Sequence, residues 1–162
     1  GVIGHECVNE LIVDRLLTIL GIAHLPYQLI HADIMVDYLI LNRDRHGANI
    51  EVLRNSRKKT FRMAPLFDHG LSLLCCCMND SQVAAFDVME DKPCNNYIGS
   101  KSTWENLKLI PTDKIPILNT LRESDRKMII EGLDGIISGT LQDKIWEMIW
   151  KRWCAYEDFC NS

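Results

Sequence analysis

The sequence predicts an α+β fold that is mostly helical and contains one small β-hairpin. Apolar side chains recur at helical spacing near both ends of the chain, in residues 6–20 and 143–153. Between these ends, residues 49–54 and 60–65 have strand character, and the polar, basic connector that joins them suits a turn. Helices that are segregated from a small antiparallel pair of strands are typical of the α+β class.

The composition limits the kinds of protein that the chain can be. Its 162 residues correspond to one domain or one lobe, and 47% hydrophobic with 25% charged residues is ordinary for a globular protein. A net charge of −4 gives no reason to expect direct nucleic-acid binding. Without an apolar run of roughly 18 residues or a basic-then-apolar leader, the sequence predicts a cytoplasmic protein without a membrane partner.

The seven cysteines favour reduced, buried thiols. Their number is odd, three of them are adjacent at residues 75–77, and no C-x-x-C pair occurs. This pattern disfavours a disulfide framework and, slightly less strongly, a zinc site.

The N-terminal third predicts a helix, a strand and the end of a second helix. Residues 6–20 have an apolar stripe at helical spacing, with Gly21 as the residue that follows the helix. Residues 27–36 alternate between apolar and polar side chains, which predicts a half-buried strand. Residues 37–42 resemble the end of a helix, and the passage at Val36-Asp37 is unusual because Asp37 is its only turn former.

The predicted hairpin matters for function because it returns the chain upon itself. Strands at 49–54 and 60–65 would bring Asp68 beside Asn49. The apolar residues 71–78 are then expected to pack beneath this site, and residues 79–96 to form an irregular segment.

The remainder predicts helices. Ser102 and Glu105 form a capping-box pattern before one helix. A second helix is predicted at 115–121, a third from Ser124 to its end at Gly139, and a last one from Thr140. The last helix carries an apolar stripe typical of a core or an interface, formed by Ile145, Trp146, Ile149, Trp150 and Trp153.

Asp44, Asn49 and Asp68 are the candidate catalytic residues, and Asn49 and Asp68 are the candidate metal ligands. Asn49 follows Asp44 by five residues, and Asp68 begins an Asp-x-Gly sequence nineteen residues further along. Protein kinases use this order of residue types for magnesium-dependent phosphoryl transfer. Carboxylate and amide oxygens are the hard donors that Mg²⁺ accepts, and charge on the transferring group makes such cations useful.

Two further residues are candidates for binding the nucleotide cofactor, Glu10 and His46. Glu10 lies in the first half of the predicted helix 6–20, where a solvated or capping acid is common. The position of His46 within the loop favours a structural role, in which it would hold the backbone or Asp68. Arg45 is interpreted as a loop organiser, and Phe67 as an apolar anchor beneath the Asp68 carboxylate.

Residues 39–49 and 64–70 together resemble the C-terminal lobe of HipA-like protein kinases. In that family an N-x-D-x-H-x-x-N loop precedes an L-x-P-x-[YF]-D segment, and the C-terminal part is a helical bundle. The helix with Glu10, followed by Gly21-Ile22, is similar to the family's N-E…L-G-[IL] stretch. The resemblance is specific over about residues 39–74, weaker over 5–25 and only architectural beyond residue 100.

The resemblance implies an ATP- and Mg²⁺-dependent serine/threonine kinase with a protein substrate. It makes Asp44 the residue that orients the substrate hydroxyl, Asn49 and Asp68 the magnesium ligands, and Glu10 the partner of an ATP-binding lysine. Residues 1–36 would be a remnant of the N-terminal lobe, and residues 37–162 the helical C-terminal lobe. A toxin–antitoxin system with a DNA-binding, antitoxin-type partner is implied by the family alone.

The sequence also departs from the family, which leaves two alternatives open. No Gly-rich loop or strand lysine precedes Glu10, so we expect these 162 residues alone to bind ATP poorly. One alternative is a phosphoinositide-kinase-like lipid kinase, although the uncharged residues 71–78 do not provide the basic surface that anionic headgroups require. The other is a kinase-derived binding module that has lost catalysis.

Overall fold

The computed structural model describes residues 12–13, 15–17, 19–22, 34–96, 100–116 and 118–162. For Val52 and residues 60–63 it describes the backbone only. Within these ranges the fold is α+β and mostly helical, as predicted.

The described elements are helices and two two-stranded sheets. The helices are α1 (residues 12, 13, 15–17, 19 and 20), α2 (34–39), α3 (Asp80–Ala85), α4 (Thr103–Leu107), α5 (Arg126–Ile130) and α6 (Gly139–Cys160). The strands are β1 (Asp44–Arg45), β2 (Val52–Asn55), β3 (Thr60–Met63) and β4 (Asn95–Asn96). Single 3₁₀ turns cover Gly47–Asn49, Thr112–Lys114 and Glu123–Asp125.

The described part of α1 confirms the helix predicted to end at Gly21. Gly21 has a φ of +65°, and the Ile22 amide donates to the Leu17 carbonyl at 3.2 Å. This six-to-one hydrogen bond around a left-handed residue is typical of a Schellman ending. A Cβ atom at Gly21 would lie 2.7 Å from Asn119 Nδ2, so glycine also permits a close approach of the chain.

Helix α2 replaces the last part of the strand that alternation predicted. Residues 34–36 of the predicted strand 27–36 are helical, and residues 27–33 lie outside the described ranges. Every residue from Ile34 to Asn42 is buried, so the side chains face protein on all sides and alternation does not distinguish an inner from an outer face. Val36 and Asp37 therefore lie within one helix.

The end of α2 was predicted correctly, and it is built without glycine. The Asn42 amide donates to the Asp37 carbonyl at 2.9 Å, and the Leu41 amide to the Tyr38 carbonyl at 3.3 Å. These two bonds form a Schellman motif in which Leu41 takes the left-handed position, with a φ of 50°. The fully buried Leu41 side chain offsets the cost of this conformation.

The hairpin is confirmed with slightly different bounds. β2 and β3 pair antiparallel, with Val52 opposite Met63 and Asn55 opposite Thr60, and a turn spans residues 56–59. The Ala64 amide donates to the Glu51 carbonyl at 2.8 Å, so the pairing extends towards the chain segments that carry Asn49 and Asp68.

The segment after Gly70 is partly as predicted. Ser72, Leu73, Leu74 and Cys77 are buried, as expected for packing beneath the site. The segment 79–96, predicted to be irregular, contains α3, because Asn79 accepts a hydrogen bond from the Gln82 amide and so caps a helix. It also contains β4, which pairs parallel with β1 and places Asn95 opposite Asp44.

Of the four helices predicted after residue 100, two are confirmed, one is shorter than predicted and one is absent from the described residues. Ser102 caps α4 as predicted, since its hydroxyl accepts from the Glu105 amide at 3.0 Å. The described residues of 115–121 are not helical, because Pro116 lacks an amide donor and biases Ile115 towards extended backbone. The helix predicted from Ser124 to Gly139 is limited to α5, because Gly132 and Gly135 have positive φ values of 74° and 78°.

Gly139 begins the last helix instead of ending the preceding one. Ser138 caps α6 by accepting from the Leu141 amide at 3.2 Å. The predicted stripe on α6 is largely core: Ile145, Ile149 and Trp153 are buried, and Trp146 and Trp150 stack with ring centroids 5.8 Å apart. One hydrophobic cluster joins α6 to α1 and α2.

Two absences apply to the described ranges alone. Their helices include none that is long and apolar enough to cross a bilayer. No disulfide joins the six cysteines that lie within these ranges.

Candidate functional site

Asp44 lies on β1, with its carboxylate between solvent and two loops. Its backbone amide donates to Asn42 Oδ1 at 3.1 Å, and Asn95 Nδ2 donates to Asp44 Oδ1 at 3.3 Å. The side chain is 31% exposed. The carboxylate is therefore held by neighbours and is still accessible to a substrate group.

Asn49 ends the 3₁₀ turn that follows β1, and its side chain is fixed from within the same loop. Its Nδ2 donates to the Asp44 carbonyl at 2.8 Å, and its amide donates to the His46 carbonyl at 2.9 Å. The residue is buried. Because Asn49 Nδ2 is bonded to the Asp44 carbonyl, the side-chain oxygen Oδ1 of Asn49 has a fixed orientation relative to Asp44.

His46 has the structural role that its position favoured. Its Nδ1 accepts from the Ala48 amide at 3.2 Å and so caps the 3₁₀ turn. Its Nε2 lies 3.7 Å from Asp44 Oδ2. The carboxylate beside the ring is thus that of Asp44, whereas the sequence suggested Asp68.

Arg45 is completely buried and connects the Asp44 loop with the Asp68 segment. Its Nε and one terminal nitrogen donate to Asp37 at 3.0–3.3 Å. The other terminal nitrogen donates to the Phe67 carbonyl at 2.7 Å, and the first contacts His69 Nδ1 at 2.9 Å. Asn42 Nδ2 also donates to Asp37 Oδ1 at 3.0 Å. We call Asp37, Asn42, Arg45 and His69 the Arg45 network.

Burial determines the electrostatics of this network. Burial raises the pKa of Asp37, and the Arg45 guanidinium and the hydrogen bonds from Arg45 and Asn42 oppose that rise. Burial, together with the positive charge of Arg45, lowers the pKa of His69 from 6.5 to about 3. The imidazole is therefore neutral at physiological pH, and Arg45 and Asp37 form the one ion pair within the network.

Asp68 lies between two residues that Arg45 holds. It is exposed and has a φ of +59°, a left-handed conformation that aspartate adopts more readily than most residues. Its neighbour Phe67, predicted to be a buried apolar anchor, is 37% exposed, whereas His69 is buried. This prediction was wrong: His69 anchors the segment, because its ring reaches the guanidinium that also binds the Phe67 carbonyl.

The three predicted residues are thus brought onto two adjoining loops. Asp44 and Asn49 share a direct hydrogen bond, and Asp44 is next in sequence to Arg45, which fixes both neighbours of Asp68. Glu10 lies outside the described residues. No role in this arrangement was predicted for Asp37 or His69, and Asn42 was noted only as the first residue of the N-x-D-x-H-x-x-N loop. The signal for Asp37 was a charged residue within the apolar run 34–41.

The donor set of these loops fits a hard cation. Two carboxylates and one amide provide oxygen atoms, and Mg²⁺ is usually held by one or two carboxylates together with substrate phosphates. Among the residues that the structure describes, no group of three or more His, Cys, Asp or Glu side chains is placed to hold a metal ion. The set formed by Asp44, Asn49 and Asp68 has only two residues of these four types, because Asn49 contributes an amide oxygen.

Comparison of the chain with protein-family models, curated proteins and solved structures finds no match.

Proposed function

We propose that this chain carries the catalytic and metal-binding loops of an ATP- and Mg²⁺-dependent protein kinase of the HipA-like type, which transfers a phosphoryl group to a serine or threonine hydroxyl. The observation that carries the proposal is the double attachment of Arg45. Its guanidinium binds the Phe67 carbonyl and the His69 ring, and so keeps Asp68 close to the loop of Asp44 and Asn49.

The three residues have different roles in the proposed reaction. Asp44 is 31% exposed and accepts the hydrogen bond of the attacking hydroxyl, which aims the oxygen at the phosphorus atom. The hydrogen bond between Asn49 and the Asp44 carbonyl fixes the distance between the hydroxyl-orienting group and the first metal ligand. Asp68 contributes a carboxylate from the facing loop.

Magnesium, when bound with the nucleotide, supplies the positive charge that offsets the charge gathering on the transferred group. Asn49 and Asp68 would hold it. The Arg45 network supports this arrangement, because a buried guanidinium whose three nitrogens all make hydrogen bonds leaves the two loops little freedom to separate. Under this proposal residues 37–162 are the C-terminal lobe, and a DNA-binding, antitoxin-type partner remains an implication of the family resemblance alone.

The test is Mg²⁺-dependent phosphate transfer from labelled ATP, made with the full-length product of the gene that encodes this chain. Asp44→Asn and Asp68→Asn are compared with Asp113→Asn, which removes an exposed carboxylate from the 3₁₀ turn Thr112–Lys114. We expect transfer to fall at least about 100-fold in the two loop variants and to be unchanged in the control. Equal transfer by wild type and Asp68→Asn would contradict the proposal.

A further inference from the structure

The β2–β3 hairpin has a basic turn. Residues 52–63 contain five basic residues and no acidic one, in a chain whose net charge is −4. Three of them, Arg57, Lys58 and Lys59, are consecutive and exposed in the turn. Asn55 Oδ1 accepts from the Arg57 and Lys58 amides at 3.1 and 3.0 Å, so the turn has a defined backbone on which these cations are presented.

Several basic residues elsewhere on the surface lie beside a carboxylate, whereas the three of this turn have no such partner within the described ranges. Each of six exposed or half-buried basic residues elsewhere lies within 4 Å of a carboxylate: Lys92, Lys108, Lys114, Arg126, Lys144 and Lys151. Arg57, Lys58 and Lys59 form no ion pair with any residue in the ranges that the structure describes. A concentrated positive charge on an otherwise acidic protein attracts an anionic partner.

We propose that Arg57-Lys58-Lys59, here called the basic turn, binds an acidic segment of the protein substrate. The inference rests on the proposed function, because the hairpin leaves the catalytic loop at Asn49 and returns to Asp68. Asn55 lies six positions after Asn49, which corresponds to at most about 20 Å of extended chain. A substrate peptide in extended conformation covers this distance in about six residues. The acidic residues should therefore lie about six positions from the phosphorylated hydroxyl.

A peptide comparison tests this inference. Three peptides carry one serine each: the first has three glutamates centred six residues from the serine, the second has the glutamates next to it, and the third has glutamines instead. Binding is measured by fluorescence anisotropy, and phosphate transfer is measured in parallel. The protein is compared with Lys58→Gln/Lys59→Gln and with the control Lys101→Gln/Lys127→Gln, which removes two exposed lysines elsewhere.

We expect the first peptide to bind best and the hairpin variant to bind it about fivefold to tenfold more weakly, whereas the control variant binds as wild type does. For the hairpin variant, the KM for the first peptide should rise with little change in kcat, since the basic turn does not contact the reacting atoms. Equal binding of all three peptides, or equal loss in both variants, would overturn the inference. Tighter hairpin-dependent binding of single-stranded RNA or of phosphatidylserine vesicles than of the first peptide would also overturn it.

The binding and transfer measurements separate the two proposals. Selective binding of the first peptide without phosphate transfer to any peptide would support the binding role of the basic turn and contradict the kinase proposal. Phosphate transfer at equal rates to all three peptides would support the kinase proposal and contradict the binding role of the basic turn.

Discussion

Arg45 donates a hydrogen bond of 2.9 Å to Nδ1 of His69, across 24 residues of sequence. A guanidinium has no acceptor, so Nδ1 must be the unprotonated nitrogen and the proton of the neutral ring lies on Nε2. The contact therefore fixes both the charge and the tautomer of His69. Both partners are buried, which makes the pair a fixed part of the loop that presents Asp68.

The low pKa of His69 predicts acid sensitivity. The pKa is about 3 in the folded protein and about 6.5 in the unfolded chain, so below pH 6.5 the unfolded state binds a proton that the folded state does not. The contribution of neutral His69 to the free energy of unfolding is therefore present at pH values above 6.5 and is lost as the pH falls towards 3. At pH 5 the loss due to this residue is about 2 kcal/mol.

The measurement is urea unfolding of the wild type and His69→Asn at pH 7 and pH 5. The asparagine oxygen can accept the hydrogen bond from Arg45 and does not titrate, so the variant should lose about 2 kcal/mol less than wild type between the two pH values. The same loss in both proteins would show that His69 is not the titrating group.

The ion pair between Arg45 and Asp37 predicts a large effect of removing one partner. Arg45→Met leaves the buried Asp37 carboxylate without its cation and should lower the free energy of unfolding by about 3–5 kcal/mol. Arg126→Met is the matched control, because Arg126 pairs with Asp143 at the surface and should cost less than about 1 kcal/mol.

The double variant Asp37→Asn/Arg45→Met completes a thermodynamic cycle with the two single variants. It should be less destabilised than the sum of the single changes, since neither charge remains buried alone. Additive effects in chemical denaturation would mean that the two side chains act independently.

The backbone of Asp68 allows function and stability to be separated. Its φ of +59° is tolerated by asparagine and disfavoured by β-branched residues. Asp68→Asn should therefore change the free energy of unfolding by less than about 0.5 kcal/mol, and Asp68→Val should lower it by about 1–2 kcal/mol. Thermal unfolding checks both variants. A destabilisation of Asp68→Asn as large as that of Asp68→Val would show that the carboxylate itself stabilises the fold.

Arg152 occupies a site where lysine cannot replace arginine. Its guanidinium donates to the carbonyls of Val88, Tyr38 and Glu90 at 2.7–2.9 Å, and so joins α6 to the end of α2 and to the loop after α3. Arg152→Lys places one nitrogen where three are needed and should cost about 3 kcal/mol. Lys151→Met, which removes an exposed lysine paired with Glu147, should cost about 0.5 kcal/mol or less. Equal effects in denaturant unfolding would contradict the structural role of Arg152.

The sequence by itself predicted the elements whose signals are local. Gly21 ends α1, Ser102 caps α4 and the polar residues 55–59 turn the hairpin, because each feature depends on a few neighbouring residues and on backbone angles that those residue types favour. The pairing of one acid and one amide in a single loop, Asp44 and Asn49, was equally local.

Tertiary structure alone decided the conformation of α2 and the contacts of the Arg45 network, since burial and long-range contacts cannot be predicted from a few neighbouring residues. Ile34 to Val36 end the stretch whose alternation predicted a strand, and they form a helix because protein surrounds them on every side. Asp37 and His69 lie 32 positions apart in the sequence, and they meet at Arg45 only when the fold places their charges and dipoles together away from water. An unpaired charge there would be expensive, so these contacts decide how the Asp68 segment lies against the Asp44 loop.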